Sequence, residues 1–436
     1  MTCRNKKGNE MIEDYFCNMN TLHELRLGPI GKHIDAISEE YKSEGFSRGS
    51  ARTQLQALSH LSRYMLWKGR AEIGDDIFDQ IDDFVSNHLP KCNCNRSNHG
   101  KFAGVPPAMT RLAAYLTRNG IVTREEKPVS PDSIEGVLIR FNRYLVDVRA
   151  LAPKSIVSYL HMCKTILVAR EGLHGSLDLA SLTRKDVIDI YDAVMPLHSG
   201  NDWKRSMTSL LRVFLRFIAW ERVAPEGLCN VIPSVRRWTM AQIPKALTED
   251  QLTQLIDTPD RKTADGARDY AILILLATLG MRASEIVALR FEDVHWRKRT
   301  IVIPAVKSLR EREMPLADTA FRALYDYIKE ARPQCTDRHV FLRHKAPIRA
   351  FKTSAAVTTI VTKHVLGSGI QRDSYRGAHL LRHTFATLLV NRGVSIKGIS
   401  DMLGHASIDT TSIYGKVDLS SLRKLARPMP DCQWRP

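Results

Sequence analysis

At 436 residues the chain is long enough for two or three domains, each with its own core. Hydrophobic and charged shares of 44% and 25% are ordinary for globular proteins, but a formal net charge of +17 calls for a polyanionic partner, nucleic acid before an anionic membrane surface. No run of about 18 apolar residues exists to span a membrane, no apolar stretch near the N-terminus resembles a secretory signal, and the scattered cysteines suggest no disulfide framework. A soluble protein of a reducing cytoplasm is expected.

Residues 1–20 read as a loose start. Two amphipathic helices follow, around 31–44 and 50–68, separated by a turn at Gly45-Phe46-Ser47, with Ser50 as the expected cap. Residues 72–83 are acidic and read as a solvated helix face ahead of an apolar segment, 84–89. Residues 91–107 are loop-like in composition. Cys92, Cys94 and His99 within them invite a zinc reading, yet the spacing is C-x-C and no second pair follows at finger distance, so no metal site is expected.

The charged, proline-containing EEKPVSPD, residues 125–132, marks a first boundary. Helices are expected at 133–148 and 153–170, with Ser155 opening the second. They continue at 185–194 and at 203–221, where Arg205, Arg212 and Arg216 interleave with apolar residues. A second boundary, 233–244, is basic and proline-flanked and contains Arg236 and Arg237. Thr248 and Gln251 then stand in capping-box register at the start of a helix.

An apolar helix at 268–278 leads into GMRASE, residues 280–285. Arg282 and Glu285 stand three apart, a spacing that a plain Arg–Glu pair tying two helices explains. Apolar runs at 300–304 and 314–316 flank a charged turn with Lys307, Arg310 and Arg312 and read as a β-hairpin. Lys363 and His364 are expected on a helix surface. Residues 366–376 are a glycine-containing loop unlike a phosphate-binding P-loop.

The stretch 379–414 gathers the chemistry. His379 and Arg382 are three apart, on one helix face, and Leu380, Leu381, Phe385, Leu388 and Leu389 supply the apolar side. His383 points about 100° from Arg382 and is read as packing. Gly393 offers a stop, and 395–403 reads as a second helix ending at Gly404. His405 follows, and Tyr414 lies nine residues later. Arginine fits phosphate oxygens bidentately, histidine moves protons near neutral pH, and tyrosine can act as an oxygen nucleophile. These groups suit a phosphodiester. No carboxylates cluster to hold two metal ions. The charge agrees: residues 245–436 carry a net +11 (31 basic, 20 acidic), against +4 for 130–244 and +2 for 1–129.

In this order and spacing, HLLRHT at 379–384, LGH at 403–405 and Tyr414 resemble the C-terminal signature of the tyrosine recombinase (phage integrase) family, and GMRASE resembles its first arginine box. The resemblance covers residues 130–425. It implies a mainly α fold with a small β-sheet and hairpin in the catalytic domain. A helical, SAM-like core-binding domain at 130–235 would grip DNA, followed by a linker at 236–246, an α+β catalytic domain at 247–425 and a tail at 426–436. The helical extension, 1–125, lies outside the usual layout; its near-neutral charge favours protein contacts over phosphate binding.

The resemblance also implies roles. Tyr414 would attack a DNA phosphodiester to form a 3′-phosphotyrosyl link. Arg282, Arg382 and His405 would stabilise charge on the phosphate, with Glu285 buttressing them. His379 would assist proton transfer at Tyr414, and Lys307 would protonate the departing 5′ oxygen. Arg310, Arg312, Arg236 and Arg237 are candidate contacts to backbone phosphates. No cofactor is implied, since the bond energy is kept in the protein–DNA link. The implied partners are a double-stranded recombination site and three further copies of the chain in a synapse, with related recombinases or accessory proteins conceivable. Such a protein would act in a bacterial-type cytoplasm, associated with the nucleoid, as the integrase of a mobile element. Two alternatives stay open: a type IB topoisomerase, which uses much the same side chains, and a non-catalytic DNA-binding regulator of the same fold.

Overall fold

A computed structural model describes residues 12–92, 104–123, 129–234, 246–306, 311–370, 377–404 and 411. The chain forms two compact units, residues 1–123 with 240–436, and residues 124–239. Among the described residues, no helix is long and apolar enough to cross a membrane.

The N-terminal part of the first unit is a helical bundle. Its helices include Met19–Arg26, Ile34–Ser43, Arg48–Trp67, Ile77–Asp83 and Val105–Arg118. The Arg48–Trp67 helix is the spine, burying Leu55, Leu58, Leu61 and Met65. Its cap is Ser47 rather than the expected Ser50: the Ser47 hydroxyl accepts the amide of Ser50, three residues on, as an N-cap should. The Val105–Arg118 helix begins inside the stretch expected to be loop. Pro106 and Pro107 stand in its first turn, where a missing N–H breaks no helical hydrogen bond. Ala108, Met109, Leu112 and Leu116 then bury its inner face. This bundle has its own core, yet it joins the C-terminal part of the unit: Ile348 N donates to Glu44 O at 3.0 Å.

The second unit is a helical domain with an independent core. Its helices are Ile134–Arg143, continued by a wider turn Tyr144–Val148, then Pro153–His174, Arg184–Val194 and Asn201–Trp220. Ser133 and Thr183 cap the first and third. The second opens at Pro153, where it is expected to begin, with the proline in the first turn and Ser155 just inside it. Phe141, Phe214 and Phe217 form the centre, with Phe141 and Phe214 edge to face at 5.6 Å. Arg140 pairs with Glu221 at 3.1 Å, tying the first helix to the residue that ends the last. Of the three interleaved arginines, Arg205 pairs with Asp202 and Arg212 donates to the carbonyls of Ile232 and Pro233, while Arg216 is exposed.

The C-terminal part of the first unit is organised around the Ala264–Leu279 helix. Ile272, Leu273, Leu275 and Leu276 bury nearly its whole circumference, as expected of a helix apolar all round. Around it lie Glu249–Ile256, Ala283–Ala288, Asp318–Asp326, Ala355–Gly367, Ala378–Asn391 and Ile396–Leu403. The expected Thr248/Gln251 capping box is present. Among the described residues one antiparallel sheet runs β1 (Val294–His295), β2 (Thr300–Ile303), β3 (Arg312–Pro315), and Ile303 faces Arg312 at the turn end of the expected hairpin.

Lys363 lies on the helix surface as expected, but His364 departs from it. His364 is buried and donates to Asp269 at 3.0 Å, and Lys363 reaches the same carboxylate at 3.3 Å. Arg268 completes the cluster at 2.7 Å. A carboxylate 1% exposed needs such partners, and the apolar helix that carries it supplies only Arg268.

Candidate active site

Two helices end side by side. Ala264–Leu279 stops at Gly280 and Ile396–Leu403 at Gly404, both glycines in the left-handed region with φ of +60° and +63°. Neither tolerates a side chain. A Cβ at 280 would stand 2.4 Å from Phe385 Cδ1, and one at 404 would stand 2.7 Å from Arg312 Nη1. The last carbonyls of a helix lack intrahelical donors and carry the negative end of its dipole, so this place attracts cations.

Arginines occupy it. Arg382 lies on the buried face of Ala378–Asn391 among Leu381, Thr384 and Phe385. It donates to Gly280 O and to Leu403 O, both at 2.7 Å, bridging the two helix ends. Arg282 is the N-cap of Ala283–Ala288 and donates through Nη2 to Gly404 O at 3.1 Å. Both side chains are therefore held against consecutive carbonyls, 403 and 404, immediately before the chain enters residues 405–410.

Glu285 binds the group together. It is fully buried and takes four donors: Arg282 N and Nη1, both at 2.8 Å, and Arg312 Nη2 and Nη1 at 2.8 and 3.2 Å. Burial pushes its carboxyl up, but the Arg312 and Arg282 guanidiniums and the Arg282 amide outweigh burial and hold it below the usual range. It therefore stays ionised. Three guanidiniums and one carboxylate leave these four side chains with two net positive charges, a setting for an anion.

The sequence-based candidates fall into three groups. Arg282, Glu285 and Arg382 are brought together as expected from their motifs. Arg312, expected to contact backbone phosphates, is instead committed to Glu285 with its side chain only 9% exposed. The strand explains this: alternation puts Arg312 on the same side of β3 as buried Met314, facing the core. Its Nε is buried with no partner among the described residues. His379 is exposed in the first turn of the Arg382 helix, with its ring 6.4 Å from that of His383. Burial, with the nearby His379 and Arg382, lowers the His383 pKa, in keeping with its expected packing role. Lys307, Arg310, His405, Tyr414, Arg236 and Arg237 lie outside the described residues.

Residues 245–420 match the family model described as "Phage integrase family". An integrase/recombinase of Sinorhizobium fredii, y4rF, is 31% identical over 421 residues, covering 96% of each chain. The tyrosine recombinase XerD of Staphylococcus saprophyticus is 30% identical over 57% of this chain and 85% of its own. Among solved structures, XerH site-specific recombinase bound to a palindromic difH substrate covers 69% of this chain and 97% of its own, with a TM-score of 0.51 and 18% identity. A lambda integrase dimer bound to a COC′ core site covers 75% of this chain and 90% of its own, at 0.51 and 17%. These structures share the fold, and the first relative shares nearly its whole length with this chain. The chain accordingly belongs to the tyrosine recombinase (phage integrase) family of site-specific recombinases.

Proposed function

We propose that this recombinase cleaves and rejoins double-stranded DNA through a 3′-phosphotyrosyl intermediate formed by Tyr414. The observation that carries this is a positively charged cluster: Arg282 and Arg312 held by Glu285, with Arg382 and Arg282 anchored on the carbonyls of the two neighbouring helix ends. Such fixed donors stabilise developing charge on phosphate oxygens without reorganising during the reaction. Arg282 and Arg382, with His405, bind the non-bridging oxygens of the scissile phosphate. The Tyr414 oxygen attacks phosphorus and loses its proton with the help of His379. The bond to the 5′ oxygen breaks, and that oxygen takes a proton from Lys307. The 5′-hydroxyl of a partner strand reverses the step and restores the tyrosine.

XerH is bound to a difH substrate and the lambda integrase dimer to a core site, and the net charge of +17 suits the same kind of partner here. Four copies of the chain form the synapse, and the substrate is the end of a mobile element. The exposed Arg216 of the helical domain, with Arg310, Arg236 and Arg237, supplies phosphate contacts.

The test is covalent trapping on nicked suicide substrates cut from the DNA flanking the gene. Wild-type protein is expected to form an adduct resistant to denaturant, and Tyr414→Phe to form none while still binding DNA. An adduct that persists in Tyr414→Phe would reassign the nucleophile. DNA binding with no adduct on any flanking fragment would favour the regulator reading. Relaxation of supercoiled plasmid without site preference would favour the topoisomerase reading.

A further inference from the structure

Three ligand-type side chains meet in the N-terminal bundle, away in sequence from the motifs that carry the reaction. His60 lies on the Arg48–Trp67 helix, His88 ends the wider turn Phe84–His88, and Cys92 follows the turn Leu89–Lys91. One ligand atom from each lies within 4.8 Å of the other two. His88 Nε2 stands 3.2 Å from His60 Nε2, and Cys92 Sγ stands 3.4 Å from the same His60 nitrogen.

These separations match a shared ion. In a tetrahedral zinc site with Zn–N of about 2.05 Å and Zn–S of about 2.3 Å, two nitrogens lie about 3.3 Å apart and a nitrogen and a sulfur about 3.6 Å apart. Two imidazoles and a thiolate are also a donor set suited to zinc rather than to a hard, oxygen-seeking cation.

The wall around the cluster would hold such ligands in place. Phe84, fully buried, is edge-on to the His60 ring at 5.0 Å and stacked on the His88 ring at 5.4 Å. The Tyr64 ring lies 4.6 Å from His88, and its hydroxyl bonds to Asp83, which also accepts from Asn87 at 2.8 Å. Apolar walls and oriented neighbours of this kind limit the freedom of ligating rings. The other cluster of this type, His174, Asp186 and Asp189, has an ordinary explanation, because Asp186 is already the capping-box partner of Thr183.

We infer that His60, His88 and Cys92 bind a Zn2+ ion that staples the Arg48–Trp67 helix to the segment ending at Lys91. Its role is structural: the ion closes a bundle whose last helix is separated from these ligands by residues 93–103. Cys92 is disulfide-bonded in this structure. Ligation therefore follows reduction by a thiol or phosphine reductant. Two electrons and two protons convert the disulfide to two thiols, and zinc binding then releases the Cys92 thiol proton. The fourth coordination position is left to water or to a further donor.

The full-length protein, purified under a phosphine reductant and dialysed against zinc, is expected to hold one zinc per chain by elemental analysis. Replacement by cobalt should give a thiolate-to-cobalt charge-transfer band and the intense ligand-field bands of a tetrahedral site. His60→Ala and Cys92→Ser should each lower the retained metal about tenfold or more. If those variants do not fold, the cobalt spectrum of the wild type decides. A reduced wild-type chain that holds no stoichiometric zinc, or one whose cobalt form lacks the charge-transfer band, overturns the assignment. So does metal retained equally in the folded variants, or in the oxidised chain.

Discussion

Glu285 answers to two arginines at once, so its removal strands both. Glu285→Ala leaves Arg282 and Arg312 as buried charges without their counter-ion and is expected to cost about 3–5 kcal/mol, read as a lowered denaturant midpoint. Its titration adds a pH signature. The folded carboxyl sits below its ordinary value of 4.5, so the stability it contributes is complete above that value and is lost as pH falls through the folded pKa. Glu285→Gln should therefore flatten the acid limb of a melting-temperature profile below about pH 4.5, relative to wild type. An unchanged limb would show that the arginines do not hold the carboxylate ionised. The Arg282–Glu285 pair was legible from i, i+3 spacing. Arg312 was not, because a charged turn and an inward-facing strand residue look alike until the strand register is known.

At the scale of elements, the site depends on two helices that stop in the right place. Gly280→Ala puts a Cβ against Phe385 and Leu403 in a left-handed backbone. Overpacking and backbone strain together should cost about 2 kcal/mol or more and reduce strand cleavage more than DNA binding, because the Arg382 anchor moves with Gly280 O. Equal loss of both activities would place Gly280 outside the site. The capping box at Thr248 was legible because it is written in four consecutive residues. The Val105–Arg118 helix was not: its paired prolines look like a breaker, and only their position in the first turn makes them compatible with a helix. The closeness of His60 and His88 to Cys92 was not legible for the opposite reason. No short spacing joins them to Cys92, so the C-x-C pair was weighed against the local His99 instead.

At the scale of the molecule, charge and compactness divide differently. Residues 1–129 carry only +2, yet residues 1–123 share a compact unit with the strongly basic C-terminal part. Deleting residues 1–123 is expected to leave the logarithmic salt dependence of DNA affinity within about one unit of wild type, since few phosphate contacts are lost. The melting temperature should fall, because the Glu44–Ile348 join is removed. A steeper loss of salt dependence would reveal phosphate contacts in the extension.

The sequence by itself determined the family, the helical character and the order of the motifs, because boxes such as HLLRHT, caps and apolar periodicity are local patterns within a turn or two of chain. Only the tertiary structure decided how far-separated groups share one task. It brought Arg312 to Glu285 across 27 residues and Arg382 to Gly280 across 102. It buried His364 against Asp269 across 95 and faced His60 with His88 and Cys92. Buried charges and unpartnered helix ends must find partners wherever the packing supplies them, and packing is not written at any fixed spacing.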